Sequence, residues 1–97
     1  MRVISKKAIN AFIEIHPNST DPMLRWYILT KEATWANFGE LKSTFPASDA
    51  VGNGLYIFDV GGNKYRIIAR VIFPASLVYI RFVGTHQQYD KVDLSEL

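Results

Sequence analysis

The sequence has no cysteine among its 97 residues, which excludes disulfide bonds and metal sites built on thiolates. A chain without cysteine fits a reducing compartment, so we expect a cytoplasmic protein. No apolar run approaches the ~18 residues of a membrane-spanning helix. The charged amino terminus is not followed by the apolar stretch of a signal peptide. We therefore predict no membrane partner.

Acidic residues are absent from residues 60–89, although the formal net charge of the chain is only +2. The same stretch carries Lys64, Arg66, Arg70 and Arg81. A local excess of cations attracts polyanions regardless of the total charge. A solvated basic sheet face would give the same pattern, so charge alone does not establish a function.

Clusters of His, Asp and Glu with metal-ligand spacing are also lacking, so we predict neither a metal site nor a cofactor. There is no glycine-rich fingerprint for phosphate binding, because Gly61-Gly62 fits a hairpin turn better.

The first half of the chain has the pattern of helices that follow a short strand at residues 2–4. Ser5 is suited to cap a helix that ends near residue 16. Asp21 and Pro22 suit the start of a second helix that ends near residue 33. A short third helix should stop before Pro46. Trp26 and aromatic residues near it could stack on bases, but at helical spacing they are more often part of a core.

From about Gly54 the apolar period changes from helical to alternating, which predicts strands at residues 55–60, 63–73 and 76–83. With two-residue loops at Gly61-Gly62 and Pro74-Ala75, Asp59 would face Lys64 in an antiparallel meander. One face of this sheet would be apolar and covered by the two N-terminal helices; it holds Tyr56, Phe58, Tyr65, Ile67, Ala69, Val71, Val78, Ile80 and Phe82. We therefore predict one α+β domain over residues 1–97. The tail, residues 87–97, is too short and polar to assign.

The opposite face of the predicted sheet would be cationic; it holds Leu55, Ile57, Asp59, Lys64, Arg66, Ile68, Arg70, Tyr79 and Arg81. Arginine side chains bind phosphate through bidentate, charge-assisted contacts. Tyr79 could stack on bases, as aromatic residues do in proteins that bind single-stranded RNA. This geometry makes Lys64, Arg70 and Tyr79 candidate RNA-binding residues.

His86 and Tyr89 follow directly after the strand that carries Arg81, so they can fold back over its exposed face. A histidine transfers protons near neutral pH, and a tyrosine can donate a hydrogen bond or carry a proton. Arg66 and Arg81 could stabilise the phosphorane that forms when a ribose 2′-hydroxyl attacks the adjacent phosphate. An isolated His-x-x-Tyr is mostly structural, and this reading stays open.

Two blocks, GNKYR at residues 62–66 and THQQYDK at residues 85–91, resemble blocks of the HigB-type toxins of the RelE superfamily. The opening residues 1–8 and the segment at residues 35–45 are similar as well. The resemblance covers nearly the whole chain, and the second block is its most specific part.

This resemblance implies the RelE-like fold and a metal-independent endoribonuclease that cleaves mRNA, in association with the ribosome, and so inhibits translation. It also implies a cognate HigA-type antitoxin, with operator DNA bound only through the antitoxin complex. In the superfamily the cleft uses basic side chains and often a C-terminal Tyr or His. That role falls on Arg66, Arg81, His86 and Tyr89, and Lys91 closes the second block as a further RNA-binding candidate. The alternative is a non-catalytic nucleic-acid-binding or gyrase-poisoning module of the ParE type.

Overall fold

A five-stranded sheet carries its three longer helices on one face in the computed structural model, which describes residues 1–97. The strands are β1 (Arg2–Ile4), β2 (Ser48–Ala50), β3 (Leu55–Val60), β4 (Tyr65–Ile72) and β5 (Leu77–Thr85). The helices are α1 (Lys6–Ile15), α2 (Thr20–Glu32), α3 (Phe38–Thr44) and α4 (His86–Tyr89). Short 3-10 turns lie at Pro17–Ser19, Phe73–Ala75 and Leu94–Glu96. The predicted α+β fold is confirmed.

The strand order is β1-β5-β4-β3-β2, so the three strands predicted between residues 55 and 83 form the centre of the sheet as an antiparallel meander. Two short strands complete it at the edges. The strand β1 pairs with β5 in parallel, and β2, which the sequence pattern did not predict, pairs with β3 antiparallel.

The turn between β3 and β4 is wider than predicted. Val60 pairs with Tyr65 and Asp59 pairs with Arg66, so four residues form the turn and the predicted pairing of Asp59 with Lys64 is wrong. Gly61 and Gly62 both adopt positive φ, 66° and 68°, which the absence of a Cβ allows. The register error is two residues, and side chains alternate with a period of two. Each side chain therefore stays on the face predicted for it.

The predicted pairing of β4 with β5 is wrong beyond Ile80, because β5 contains a bulge. Ala69 pairs with Ile80 as predicted, but Ile68 pairs with Phe82, which leaves Arg81 without a partner on β4. The extra residue inverts the alternation beyond it. Phe82 therefore packs on the face away from the helices, contrary to the prediction, and Val83 packs against the main core instead.

The main core lies between the helices and the sheet. Ile9 of α1, Met23 and Trp26 of α2, and Leu41 of α3 pack with Ile67 of β4, and all five are at most 2% exposed. Burying one such side chain contributes roughly 1.5–3 kcal/mol before entropy is counted. The aromatic rings also meet in favourable geometry, since the Trp26 and Phe58 rings are edge-to-face at 5.3 Å. Trp26 is thus a core residue and does not face bases.

The opposite face of the sheet is not the open cationic surface that we expected. Leu55, Ile57 and Ile68 form a second, smaller core there. The side chains that cover it with Phe82 come from α4 and the unassigned tail: Tyr89, Val92, Leu94 and Leu97. The tail is anchored by Arg70, whose Nη2 donates to the Leu97 carbonyl at 3.2 Å.

Candidate active site at the end of β5

Helix α4 begins at the residue after β5 ends, and a capping box holds it there. The Gln88 amide donates to Thr85 Oγ1 at 3.1 Å, and the Thr85 amide donates to Gln88 Oε1 at 2.9 Å. Gly84 sits below this turn with its Cα against other side chains. A Cβ at that position would lie 2.4 Å from Phe82 Cζ and 2.9 Å from Gln88 Oε1. A side chain at residue 84 would therefore have to displace the Phe82 ring and the Gln88 amide that closes the capping box.

Arg66 lies on the predicted face of β4, but it is buried, with 6% of its surface exposed. Each of its three guanidinium nitrogens faces an oxygen. Nε lies 3.1 Å from Asp59 Oδ1, Nη1 donates to the Tyr65 carbonyl at 3.0 Å, and Nη2 donates to Asn63 Oδ1 at 2.6 Å. The expectation of an open arginine is wrong, because these protein oxygens surround the guanidinium and the Tyr89 ring of α4 lies over it.

Tyr89 rests on Arg66. The centre of its ring lies 5.7 Å from the guanidinium carbon, within the range of a cation–π contact. The rest of the ring packs on the second core, so Tyr89 is half-buried. Tyr89 and Arg66, two of the predicted site residues, are therefore in direct contact.

His86 is the first residue of α4, and its side chain is 43% exposed. Its backbone amide donates to the Lys64 carbonyl at 2.9 Å, which places the exposed Lys64 beside it. Nε2 lies 3.8 Å from Asp90 Oδ2, and Nδ1 is buried without a hydrogen-bond partner. The turn before β4 and helix α4 thus bring the backbones of Lys64 and His86 together, three residues before Tyr89 on α4.

The other predicted residues are spread more widely. Arg81 is exposed at the bulge, and no hydrogen bond, ion pair or cation–π contact joins it to His86 or Tyr89. Lys91 is exposed just beyond α4.

Arg70 and Tyr79 pair with each other four strand positions from Arg66, roughly 13 Å along the strand. Arg70 also donates hydrogen bonds to the carbonyls of Asn53 and Leu97. The structure does not bring this pair to the end of β5.

Asp59 and Asn63 are residues near the site that sequence reasoning did not select. Asp59 also borders a groove of about 320 Å³ between α2 and the β3–β4 turn, with Trp26 and Phe45 in its walls. A signal for Asp59 was present in the sequence, because it is the single acid on the predicted cationic face and directly precedes the acid-free stretch. The predicted register of the β3–β4 hairpin paired Asp59 with Lys64, so the contact between Asp59 and Arg66 was not predicted.

No group of three or more His, Cys, Asp or Glu side chains is placed to hold a metal ion. None of the helices combines the length and the apolar character needed to cross a membrane.

The sheet with helices on one face, and with cationic and proton-carrying side chains at the end of β5, has the α+β arrangement of the RelE-like toxins. The family model described as HigB toxin, the RelE-like toxic component of a toxin–antitoxin system, matches residues 19–92. The chain belongs to this HigB toxin family.

Curated relatives agree with this assignment over almost their whole length. The chain is 30% identical over 94 residues to the "mRNA interferase HigB" of Escherichia coli O6:H1, covering 95% of this chain and 91% of the relative. It is 32% identical over 92 residues to the "mRNA interferase toxin HigB" of Escherichia coli K12, covering 93% and 88%. The "mRNA interferase HigB" of Shigella flexneri matches with the same identity and coverage.

Proposed function

We propose that this chain is the toxin of a type II toxin–antitoxin system, and that it is an endoribonuclease that cleaves mRNA and so inhibits translation. One structural observation supports the proposal: the His86 amide of α4 donates to the Lys64 carbonyl and the Tyr89 ring rests on Arg66, in a chain that belongs to the HigB family. The names of its relatives, which describe them as mRNA interferases, support the same activity.

The proposed reaction is attack of a ribose 2′-hydroxyl oxygen on the adjacent phosphorus. The new O–P bond forms, the bond from phosphorus to the 5′ oxygen breaks, and the products are a 2′,3′-cyclic phosphate and a free 5′-hydroxyl. A base takes the proton from the 2′-hydroxyl, and an acid gives a proton to the leaving 5′ oxygen. His86 Nε2 and the Tyr89 hydroxyl share these two tasks, and Asp90 helps to orient the imidazole.

Cationic side chains would stabilise the charge that builds up on the phosphate oxygens. Arg81, Lys64 and Lys91 are exposed and so free to approach RNA, whereas the Arg66 nitrogens already face protein oxygens. We therefore assign the phosphate contacts to the exposed cations. Arg66, which lies under the Tyr89 ring, would add positive charge to the site without contacting the phosphate. These groups provide acid, base and positive charge, so the proposed reaction is metal-independent.

The proposed setting follows from the substrate. The toxin would act in the cytoplasm on mRNA held by the ribosome, and a cognate HigA-type antitoxin of acidic character would suppress it. Operator DNA would be bound only through the antitoxin complex. Arg70 and Tyr79, about four strand positions from Arg66, would contact RNA further from the cleaved bond.

The test is an RNA-cleavage assay with the purified chain, with and without ribosomes, and with and without EDTA. His86→Ala should reduce the cleavage rate by ~10²–10⁴-fold, because it removes a proton-transfer group. Arg81→Ala should cost ~10²–10³-fold. Gln87→Ala is the matched control, since Gln87 is an exposed neighbour on α4.

A chain that cleaves no RNA in either condition would contradict the proposed activity. If it poisons gyrase in a supercoiling assay instead, the alternative function is correct. If His86→Ala and Arg81→Ala both fold and cleave at the parental rate, the site assignment is wrong even though the family assignment stands.

A further inference from the structure

Asp59 is a solvent-exposed acidic residue next to the buried Arg66 of the candidate site. It lies on β3 directly opposite Arg66 on β4, and its carboxylate Oδ1 is 3.1 Å from Arg66 Nε. The Arg66 side chain is 7% exposed and that of Asp59 is 37% exposed. The ion pair therefore has one buried member and one member that reaches solvent.

The buried guanidinium depends on this carboxylate. A charge removed from water is costly unless it is paired and hydrogen-bonded. The other two oxygen partners, the Tyr65 carbonyl and Asn63 Oδ1, are neutral. Asp59 is thus the one negatively charged partner of Arg66, and it holds the Nε edge of a planar group whose orientation decides all its other contacts.

The orientation of that plane matters for the site because Tyr89 rests against it. The ring centre is 5.7 Å from the guanidinium carbon, and the remaining contacts of the ring are apolar. The Tyr89 backbone carbonyl accepts from the Val92 amide at 3.0 Å, but its hydroxyl makes no hydrogen bond within the chain. Arg66 is consequently the charged contact that sets where the phenol lies at the start of the tail.

We infer that Asp59 is a positioning residue that acts through Arg66 to place Tyr89 for RNA cleavage. The inference rests on the proposed function, in which Tyr89 carries a proton. Asp59 does not touch the RNA. When Asp59 loses its charge, the guanidinium keeps only its two neutral partners and can turn toward solvent or phosphate, and Tyr89 loses its support. A misplacement of about 1 Å at a reacting group can cost on the order of 10²-fold in rate.

The two kinetic constants respond differently to this role. Asp59→Asn keeps the size of the side chain and removes a negative charge close to the cationic surface, so RNA binding should not weaken. We expect KM to stay the same or fall, while kcat falls on the order of 10- to 100-fold. Asp49→Asn is the matched control, because Asp49 is an exposed acid on the neighbouring strand β2 and its loss changes the net charge equally.

A double-mutant cycle tests whether Asp59 acts through Arg66. Arg66→Lys keeps the positive charge but loses the planar group, and it should lower kcat by itself. If the inference is correct, adding Asp59→Asn to Arg66→Lys lowers kcat no further, within about two-fold. Independent effects that multiply would overturn it. Asp59→Glu retains the charge and should recover part of the lost kcat, which also keeps the test available if Asp59→Asn folds poorly.

The position of Tyr89 can be measured without any activity. NMR of the full chain with labelled tyrosine should show shifted ring signals for Tyr89 in Asp59→Asn and unchanged signals in Asp49→Asn. Unchanged Tyr89 signals in a folded Asp59→Asn variant would overturn the inference. A parental chain that cleaves no RNA would instead overturn the proposed function. Shifted signals in that case would still support the placement of Tyr89 by Asp59.

Discussion

Shortening Ile68 by one methylene tests whether the tail truly covers the second face of the sheet. Ile68 is fully buried, with 0% exposed, in the small core beneath Leu94 and Leu97. An Ile→Val change at a buried site costs about 0.5–1.5 kcal/mol. In a domain of this size each kcal/mol corresponds to roughly 4–8 °C in Tm. Ile68→Val should therefore lower Tm by about 2–12 °C.

Two positions on the same strand provide matched controls. Ile67 is equally buried but faces the main core, whereas Ile72 at the strand end is 39% exposed. Urea unfolding followed by the fluorescence of the two buried tryptophans, Trp26 and Trp35, gives the free energy of unfolding for each variant. Ile67→Val and Ile68→Val should destabilise by similar amounts, and Ile72→Val should stay within about 0.5 kcal/mol of the parent.

One outcome would contradict the burial of Ile68 beneath the tail. If Ile68→Val matches Ile72→Val while Ile67→Val is destabilised, then the tail does not bury the second face. The same result would weaken the basis for burying Arg66, because Tyr89, which lies over its guanidinium, packs on the same second core.

Three further predictions concern Gly84, the start of α3 and the tail. Gly84→Ala places a Cβ 2.4 Å from Phe82 Cζ and should cost about 1–3 kcal/mol in thermal unfolding; an unchanged Tm would contradict the packing. Asn37→Ala removes the side chain that caps α3 and should cost about 1 kcal/mol in urea unfolding, whereas the aspartate variant should not. Hydrogen bonds from Ser95 lower the pKa of Asp93 below its ordinary value of 3.8. Its stabilising contribution is therefore present above pH 3.8 and is lost as the pH falls through the lowered pKa. Asp93→Asn should be less stable than the parent at pH 7 and equal to it in strong acid; a pH-independent difference would count against the carboxylate.

The alternating pattern of residues 55–83 was sufficient to predict the meander and its helix-covered face. The prediction survived a register error at the β3–β4 turn, because an error of two residues leaves every side chain on its own face. The helices α1 and α2 were predicted at the right places, although Ser5 at the N-cap position of α1 makes no side-chain cap bond and α2 begins at Thr20, so Asp21 is not its cap. Period and face are local properties, and a local pattern determines them.

The alternating pattern could not predict the bulge at Arg81, because no residue type marks a bulged position in a sequence. It appears only when β4 and β5 are paired, and it moves Phe82 to the opposite face. The tail was missed for a related reason. Val92, Leu94 and Leu97 stand between polar residues, and they become a core only against Ile57 and its neighbours on the sheet.

The sequence by itself determined the family blocks and the residue types of the candidate site, because His86 and Tyr89 lie in one short segment. Only the tertiary structure decided that Arg66 is buried, that Asp59 is its ion-pair partner and that Arg70 is held by the tail. These facts depend on which residues of different segments come into contact, and on which side chains are thereby removed from water. The sequence does not show whether an arginine is exposed to solvent or buried against a tyrosine, because that depends on the contacts around it in the folded chain.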